Sequence, residues 1–320
     1  MGLERSADLT RGLYPRPVTG GGAQHQRKAR VVIAGASGLI GQALCASYRY
    51  GGHTVCRLVR REAEKPDERS WDPERPDPEL VDGCDILVNL AGSPLNGRWT
   101  AARKNAIRAS RIGTAAALAG MVAGATKPPR VFLSASGIRW YGIDRGDEEL
   151  TEASEPGPYD GLLPTVAQDW EKAAGDGVVH LRLGLVLSRK GGLLERMLPL
   201  FKLGLGGRFG TGREYWSHVS LADAVGAIRF LAMLPGAAGA YNVTAPEPVR
   251  NRDFATALGR ALRRPAAVSL PYAVLRPVLG EVADEVFGGL RVVPHRLTEA
   301  GFGFRHPDVD TAIRAALTDG

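Results

Sequence analysis

Five short runs of apolar and β-branched residues recur along the first part of the chain, at 30–34, 53–59, 85–90, 130–134 and 178–183, with helix-compatible segments between them. The runs DILVNL and VFLSAS are continuously apolar at their centres, the pattern of strands covered on both faces. Alternation of such strands with helices predicts a mainly parallel, doubly wound sheet, with a short extra strand near Trp71. Long helices are predicted over 99–121, Ala-rich for close packing, and over 160–174. Pro and Gly clusters at 155–158 and 204–212 mark loops. Beyond residue 187 the pattern loosens into a helix at 191–205, a returning helix at 221–234 and a strand at 240–243. Helices at 251–263, 272–279, 294–300 and 309–317 then make the C-terminal portion mostly helical.

The first strand feeds into G-x-x-G-x-x-G, reading Arg30 to Gly41 as RVVIAGASGLIG. That strand, turn and helix start suit a dinucleotide. Gly35 permits the tight turn, Gly38 lets the backbone approach a pyrophosphate, and Gly41 lets the helix pack closely on the sheet. The first turn, Leu39-Ile40-Gly41, offers N–H groups and a positive dipole end to phosphate. The fold class is therefore α/β, a Rossmann-type doubly wound parallel sheet with a smaller, mostly helical C-terminal portion. Residues 1–29 are expected to be a disordered basic extension. Residues 30–187, with a return segment at about 216–246, form the NAD(P)-binding unit, and 188–320 supply a substrate cap.

The second strand ends in Val59-Arg60-Arg61 where a NAD-selecting site usually carries an acid for the ribose hydroxyls. Two guanidiniums suit a 2′-phosphate, with Ser37 as an added hydroxyl donor, so NADP is preferred over NAD. The alternative is that both arginines are solvated at a strand end. Leu90-Ala91-Gly92, at the C-terminal edge of the sheet, leave room for a coenzyme to lie flat against the strand ends.

Composition excludes several classes. The formal charge of +7 over 320 residues is concentrated at the start, where the first thirty residues carry six Arg or Lys against two acids. No basic stripe with interleaved aromatics follows, so a nucleic-acid partner is not expected. The cysteines, at 45, 56 and 84, show no metal-ligand spacing and read as reduced core residues of a cytoplasmic protein. The longest small-apolar run, 115–125, is too short to span a bilayer, and no membrane partner is expected. No metal cluster is visible.

GASGLIG, Trp71-Asp72-Pro73, NLAG, Arg98-Trp99-Thr100, SASGIRWYG at 134–142, LGLGGRFGTGRE at 203–214 and Tyr241-Asn242-Val243-Thr244-Ala245-Pro246 together resemble an atypical branch of the extended short-chain dehydrogenases/reductases. The branch is the bacterial NAD(P)-dependent epimerase/dehydratase family with a small extra C-terminal domain, and the resemblance covers about 30–317. It implies NADP held by the glycine loop, Arg60, Leu90, Ala91, Arg111 from the following helix, and Val186 near the nicotinamide. It also implies a small-molecule substrate of sugar-nucleotide or carbonyl/carbinol type, and is compatible with a homodimer. Some relatives carry a cell-division-inhibitor label, which keeps a catalytically weak, dinucleotide-binding regulatory protein as the alternative.

Ordinary members use a Tyr and, four residues later, a Lys on one helical face to move a proton. Aligned on Trp170-Glu171, those positions fall on Leu163 and Ala167, and neither side chain transfers a proton. Ser136 is then the candidate hydrogen-bonding group for a substrate oxygen, with Ser134 as the weaker serine, and Tyr141 is the nearby phenol. Without a cation beside it a phenol is a poor base at neutral pH, and Arg139 either supplies that charge or turns to water. Relatives commonly carry Trp-Ile-His where this chain has His218-Val219-Ser220, which places Ser220 at the family's His position. Arg208 and Arg213, on a Gly-rich loop, are candidates for a substrate phosphate.

Overall fold

The 30–34 run forms β1 (Arg30–Ala34), buried from its second residue onward, as a strand sandwiched between helical layers must be. The protein is described from a computed structural model covering residues 28–95, 97–280, 282–283 and 288–318. The basic extension expected over 1–29 therefore lies, except for its last two residues, outside the described residues.

From β1 the chain runs through β2 (Thr54–Val59), β3 (Glu68–Ser70), β4 (Ile86–Asn89), β5 (Val131–Gly137) and β6 (Val179–Leu183). There follow β7 (Leu185–Leu187), β8 (His218–Ser220) and β9 (Gly239–Val243). Seven strands pair in the order β9-β6-β5-β4-β1-β2-β3, and every pairing is parallel. After β3 the chain returns across β1 to β4, so the direction of winding reverses between β1 and β4. Loops leaving those two strands diverge, and that is where open α/β sheets bind ligands.

The helices are α1 (Leu39–Tyr50), α2 (Ala101–Arg108), α3 (Thr114–Gly124), α4 (Leu162–Ala174), α5 (Gly192–Lys202) and α6 (Leu221–Met233). Beyond them lie α7 (Asn251–Leu262), α8 (Tyr272–Leu279), α9 (His295–Glu299) and α10 (Val309–Thr318). One face of the sheet packs on α1 and α6, joined by Leu44, Tyr48, Val225, Ile228 and Leu231. Arg229 of α6 ties the pair by donating to Ser47 Oγ at 2.7 Å. The other face packs on α3 and α4 through Leu118, Met121, Trp170 and Ala174. A third apolar cluster joins Leu194, Met197 and Phe201 of α5 to Phe254 and Leu258 of α7 and Ile313 of α10.

Two elements differ from the sequence expectation in ways that matter for the site. The helix anticipated over 99–121 is interrupted by a π-helical segment, Ala109–Gly113, between α2 and α3. The fifth strand runs on through Gly137, so Ser136 sits inside β5 rather than at its end. The β7–β8 pair, too short to signal itself by periodicity, runs parallel just beyond the main sheet.

Ser220 caps α6, its hydroxyl accepting from Asp223 N–H at 3.0 Å. His306 Nδ1 lies 2.9 Å from the same Ser220 Oγ, and the Asp223 carboxylate accepts the N–H groups of Arg305 and His306. An imidazole from the C-terminal segment thus stands beside Ser220. No helix among the described residues is long and apolar enough to cross a membrane.

Candidate active site

The glycine loop turns as its spacing demands. Gly35 has φ +80°, and a Cβ there would lie 2.4 Å from the carbonyl carbon of Leu90. A Cβ on Gly41 would strike Gly35 O at 2.3 Å, so both glycines are required by the protein's own packing. Gly38 is different: a Cβ there would meet only Gly35 O, at 3.4 Å, an ordinary contact. Nothing in the protein excludes a side chain at 38, and the bare surface faces the cleft. Gly38 is also the N-cap of α1 without a side-chain cap, so the N–H groups of the first turn await an outside acceptor.

A cleft of about 710 Å³ opens at this point, over the ends of β1, β4 and β5. Gly35, Gly38, Leu39, Ile40, Gly41, Leu90, Ala91, Gly92, Arg111, Ser136 and Val186 all line it. Ser37 and Arg60 do not line it, and both are exposed, Ser37 on the glycine loop and Arg60 just after β2. Arg61, expected to act with Arg60, is instead committed to Glu68, with guanidinium–carboxylate contacts of 2.9 and 3.0 Å. Glu68 is buried and receives Arg57 as well, which explains why Arg61 turns away from the strand end.

Arg111 lies on the π-helical segment, its guanidinium 5.4 Å above the Trp170 ring. It donates to the carbonyls of Ser93 and Ile107 at 3.1 and 3.3 Å. No carboxylate among the described residues pairs with it, and burial alone pulls its pKa down to about 10. A half-buried cation with no carboxylate partner among the described residues, lining the same cleft as the first turn of α1, is a group that attracts anions. The π-bulge that presents it is a feature common at functional sites, and no residue pattern announces it.

The two serines part company. Ser134 is buried and accepts from Asn89 Nδ2 at 3.1 Å across β4 and β5, away from the cleft. Ser136 lines the cleft and donates to Glu171 Oε1 at 2.7 Å. Leu163 and Ala167, at the positions of the missing Tyr and Lys, face the same space together with Trp99, Val166, Val282 and Leu290.

Tyr141 requires a correction. A 3₁₀ turn, Ile138–Tyr141, carries its ring beneath the site, where it is fully buried and does not line the cleft. Its hydroxyl accepts from Arg182 at 2.9 Å and faces Thr151 O and Asn242 Oδ1, each at 2.9 Å. Burial pushes its pKa upward despite Arg182, which disfavours it as a base at neutral pH. The cation beside it is Arg182 and not Arg139, whose guanidinium donates to Ile143 O at 2.6 Å. Arg208 and Arg213 do not reach the cleft either, whereas Arg196 of α5 lines it.

Among the described residues no group of three or more His, Cys, Asp or Glu could hold a metal ion. Residues 31–243 match the model of the NAD dependent epimerase/dehydratase family. The chain belongs to that family. Residues 270–316 match a second model, described as a domain of unknown function (DUF1731). This family member is 41% identical to the epimerase family protein ML0860 of Mycobacterium leprae over 306 residues, covering 92% of this chain and 98% of that one. It is 34% identical to the epimerase family protein SDR39U1 of Bos taurus, covering 90% and 99%. The crystal structure of human SDR39U1 with NADPH superposes with a TM-score of 0.83 at 32% identity, covering 90% of this chain and 99% of that chain.

Proposed function

We propose that the cleft binds NADP and that the protein is an NADP-dependent epimerase or oxidoreductase acting on a small carbonyl or carbinol compound. The carrying observation is Arg111, a half-buried guanidinium without a carboxylate partner among the described residues, lining one cleft with an uncapped helix N-terminus and the bare Gly38. Gly35, Gly38, Leu39, Ile40, Gly41, Leu90, Ala91, Gly92, Arg111 and Val186 fit a dinucleotide laid along the strand ends. Arg60, exposed and without a partner among the described residues, suits a 2′-phosphate at the end of β2, with Ser37 nearby on the glycine loop. The human relative solved with NADPH supports the phosphorylated coenzyme.

Bound there, the nicotinamide supplies the capacity to accept or donate hydride. The chain's own part is to hold a substrate oxygen at Ser136 and to keep water away with Trp99, Leu163, Val166 and Leu290. Those walls favour a compact substrate of apolar body over a sugar nucleotide, whose many hydroxyls need polar partners. Residues from 188 onward contribute the cap side through Arg196, Trp216 and Leu290.

Leu163 and Ala167 favour a second reading, a coenzyme-binding regulator that has lost its chemistry. Nicotinamide fluorescence on titration with NADPH and NADH, followed by coenzyme absorbance with a panel of aldehydes and ketones, separates the two. The enzyme reading predicts binding with NADPH preferred and oxidation by at least one carbonyl. Binding without turnover across the panel supports the regulator, and no binding overturns both.

A further inference from the structure

The hydroxyl of Ser136 has one proton to give and two lone pairs to offer, and the groups beneath it decide which faces the cleft. Parallel register places Ser136 directly opposite Arg182 on β6. Arg182 grips Glu171 of α4 with two bonds, Nε to Oε1 and Nη2 to Oε2, both 2.9 Å. Both side chains are almost entirely buried, at 5% and 10% exposure. The remaining Arg182 nitrogen donates to Tyr141, and the Trp140 ring lies 3.4 Å from the guanidinium.

Arg182 has donors only and does not lose its proton, so the carboxylate gripped at both oxygens acts toward it as an acceptor. Between Ser136 Oγ and Glu171 Oε1, 2.7 Å apart, the sole available proton is the serine's own. It therefore points down, away from the cleft. A ligand hydroxyl can donate upward into the free lone pairs. A ligand carbonyl meets acceptor against acceptor, unless Ser136 abandons a charge-assisted bond.

We propose that Glu171 is a positioning residue that fixes Ser136 as a hydrogen-bond acceptor toward the cleft, so that the site takes its substrate as the alcohol and discriminates against the matching ketone. The proposal rests on the reading of Ser136 as the substrate anchor, and goes beyond it by assigning the oxidation level of the group that is held. Among residues close in sequence nothing signals this: Ser136 stands 35 residues from Glu171, which stands 11 from Arg182.

The test uses the full-length protein saturated with tetrahydro-NADP, which neither gives nor takes hydride, and a matched pair of probes, cyclohexanol and cyclohexanone, titrated by ligand-observed NMR. Wild type is expected to bind the alcohol at least roughly tenfold more tightly than the ketone, about 1.4 kcal/mol. In Ser136→Ala the preference should vanish because the alcohol loses affinity. The double variant Glu171→Leu/Arg182→Met replaces the ion pair by apolar groups of similar bulk, a change such cores often tolerate. There the preference should vanish because the ketone gains, the freed serine proton turning upward.

A wild-type preference for the ketone that Ser136→Ala abolishes overturns the polarity assigned here and leaves Ser136 as the anchor. A preference untouched by Ser136→Ala, or no binding of either probe, overturns the reading of the site on which the proposal rests. A double variant that still favours the alcohol removes Glu171 from the role. Should the double variant fail to fold, the wild-type and Ser136→Ala comparison still decides the polarity of Ser136, and Glu171→Gln takes over the test of Glu171: an alcohol preference left as in wild type removes Glu171 from the role.

Discussion

A Cβ on Gly92 would stand 3.1 Å from the guanidinium carbon of Arg111, so a side chain at 92 would have to push the half-buried cation aside. Arg111→Ala should weaken NADPH binding roughly tenfold, about 1.4 kcal/mol, because one charge-assisted contact is lost. It should not lower the melting temperature of the coenzyme-free protein, since a half-buried charge with no counter-charge is a liability to the fold. Titration calorimetry and scanning calorimetry read the two quantities separately. Unchanged affinity with a fallen melting temperature would make Arg111 a structural residue.

Arg60 and Arg61 are neighbours with different tasks. Arg60→Asp should move the coenzyme preference from NADP toward NAD by roughly tenfold or more, since a carboxylate repels a 2′-phosphate and accepts from a 2′-hydroxyl. Arg61→Ala should leave that ratio alone, because its guanidinium is occupied by Glu68. Equal shifts in both variants would contradict the assignment.

The Glu171–Arg182 pair is buried, and removing one partner leaves the other charge stranded. Glu171→Ala should reduce unfolding free energy by about 3–5 kcal/mol, read by denaturant titration. A loss below about 1 kcal/mol would mean that water reaches Arg182.

His218 is buried with no hydrogen bond of good geometry on either ring nitrogen among the described residues, and burial pulls its pKa down to about 4 against the weaker upward pull of the Asp308 and Trp216 backbone. It is neutral in the folded chain while the unfolded chain takes up a proton near the ordinary value of about 6.5. The unfolded state therefore binds more protons between those values, and stability should fall as pH drops from about 6.5 to about 4, by on the order of 3 kcal/mol from this residue. His218→Gln should flatten that fall by one proton's worth of slope. An identical slope in the variant would show that His218 does not titrate in this window.

Strands and glycines were legible in the chain because both are local signals: an apolar run needs only its neighbours to be read, Gly35 takes a left-handed φ in the turn itself, and Gly41 answers to a clash with Gly35 O. What pattern did not disclose depends on partners that only the fold brings together. Arg61 looks free beside Arg60 until the fold brings in Glu68, which is inside the sheet edge and must be neutralised. Tyr141 looks available next to Ser136 until a 3₁₀ turn drops it under the strand, where Asn242 is 101 residues away in sequence. The π-bulge that presents Arg111 has no compositional mark, and its effect appears only when Gly92 and Trp170 converge on the guanidinium.

The central claim is that the bare surface at Gly38 exists for a coenzyme phosphate and not for the protein's own packing. Titration calorimetry of wild type and Gly38→Asp with NADPH tests it most directly, with circular dichroism to verify that the variant folds. Because a side chain there meets only an ordinary contact, 3.4 Å from Gly35 O, the variant should fold normally and lose coenzyme binding altogether. A folded Gly38→Asp protein that binds NADPH as wild type does, or a wild type that releases no heat with any pyridine coenzyme, would contradict the account.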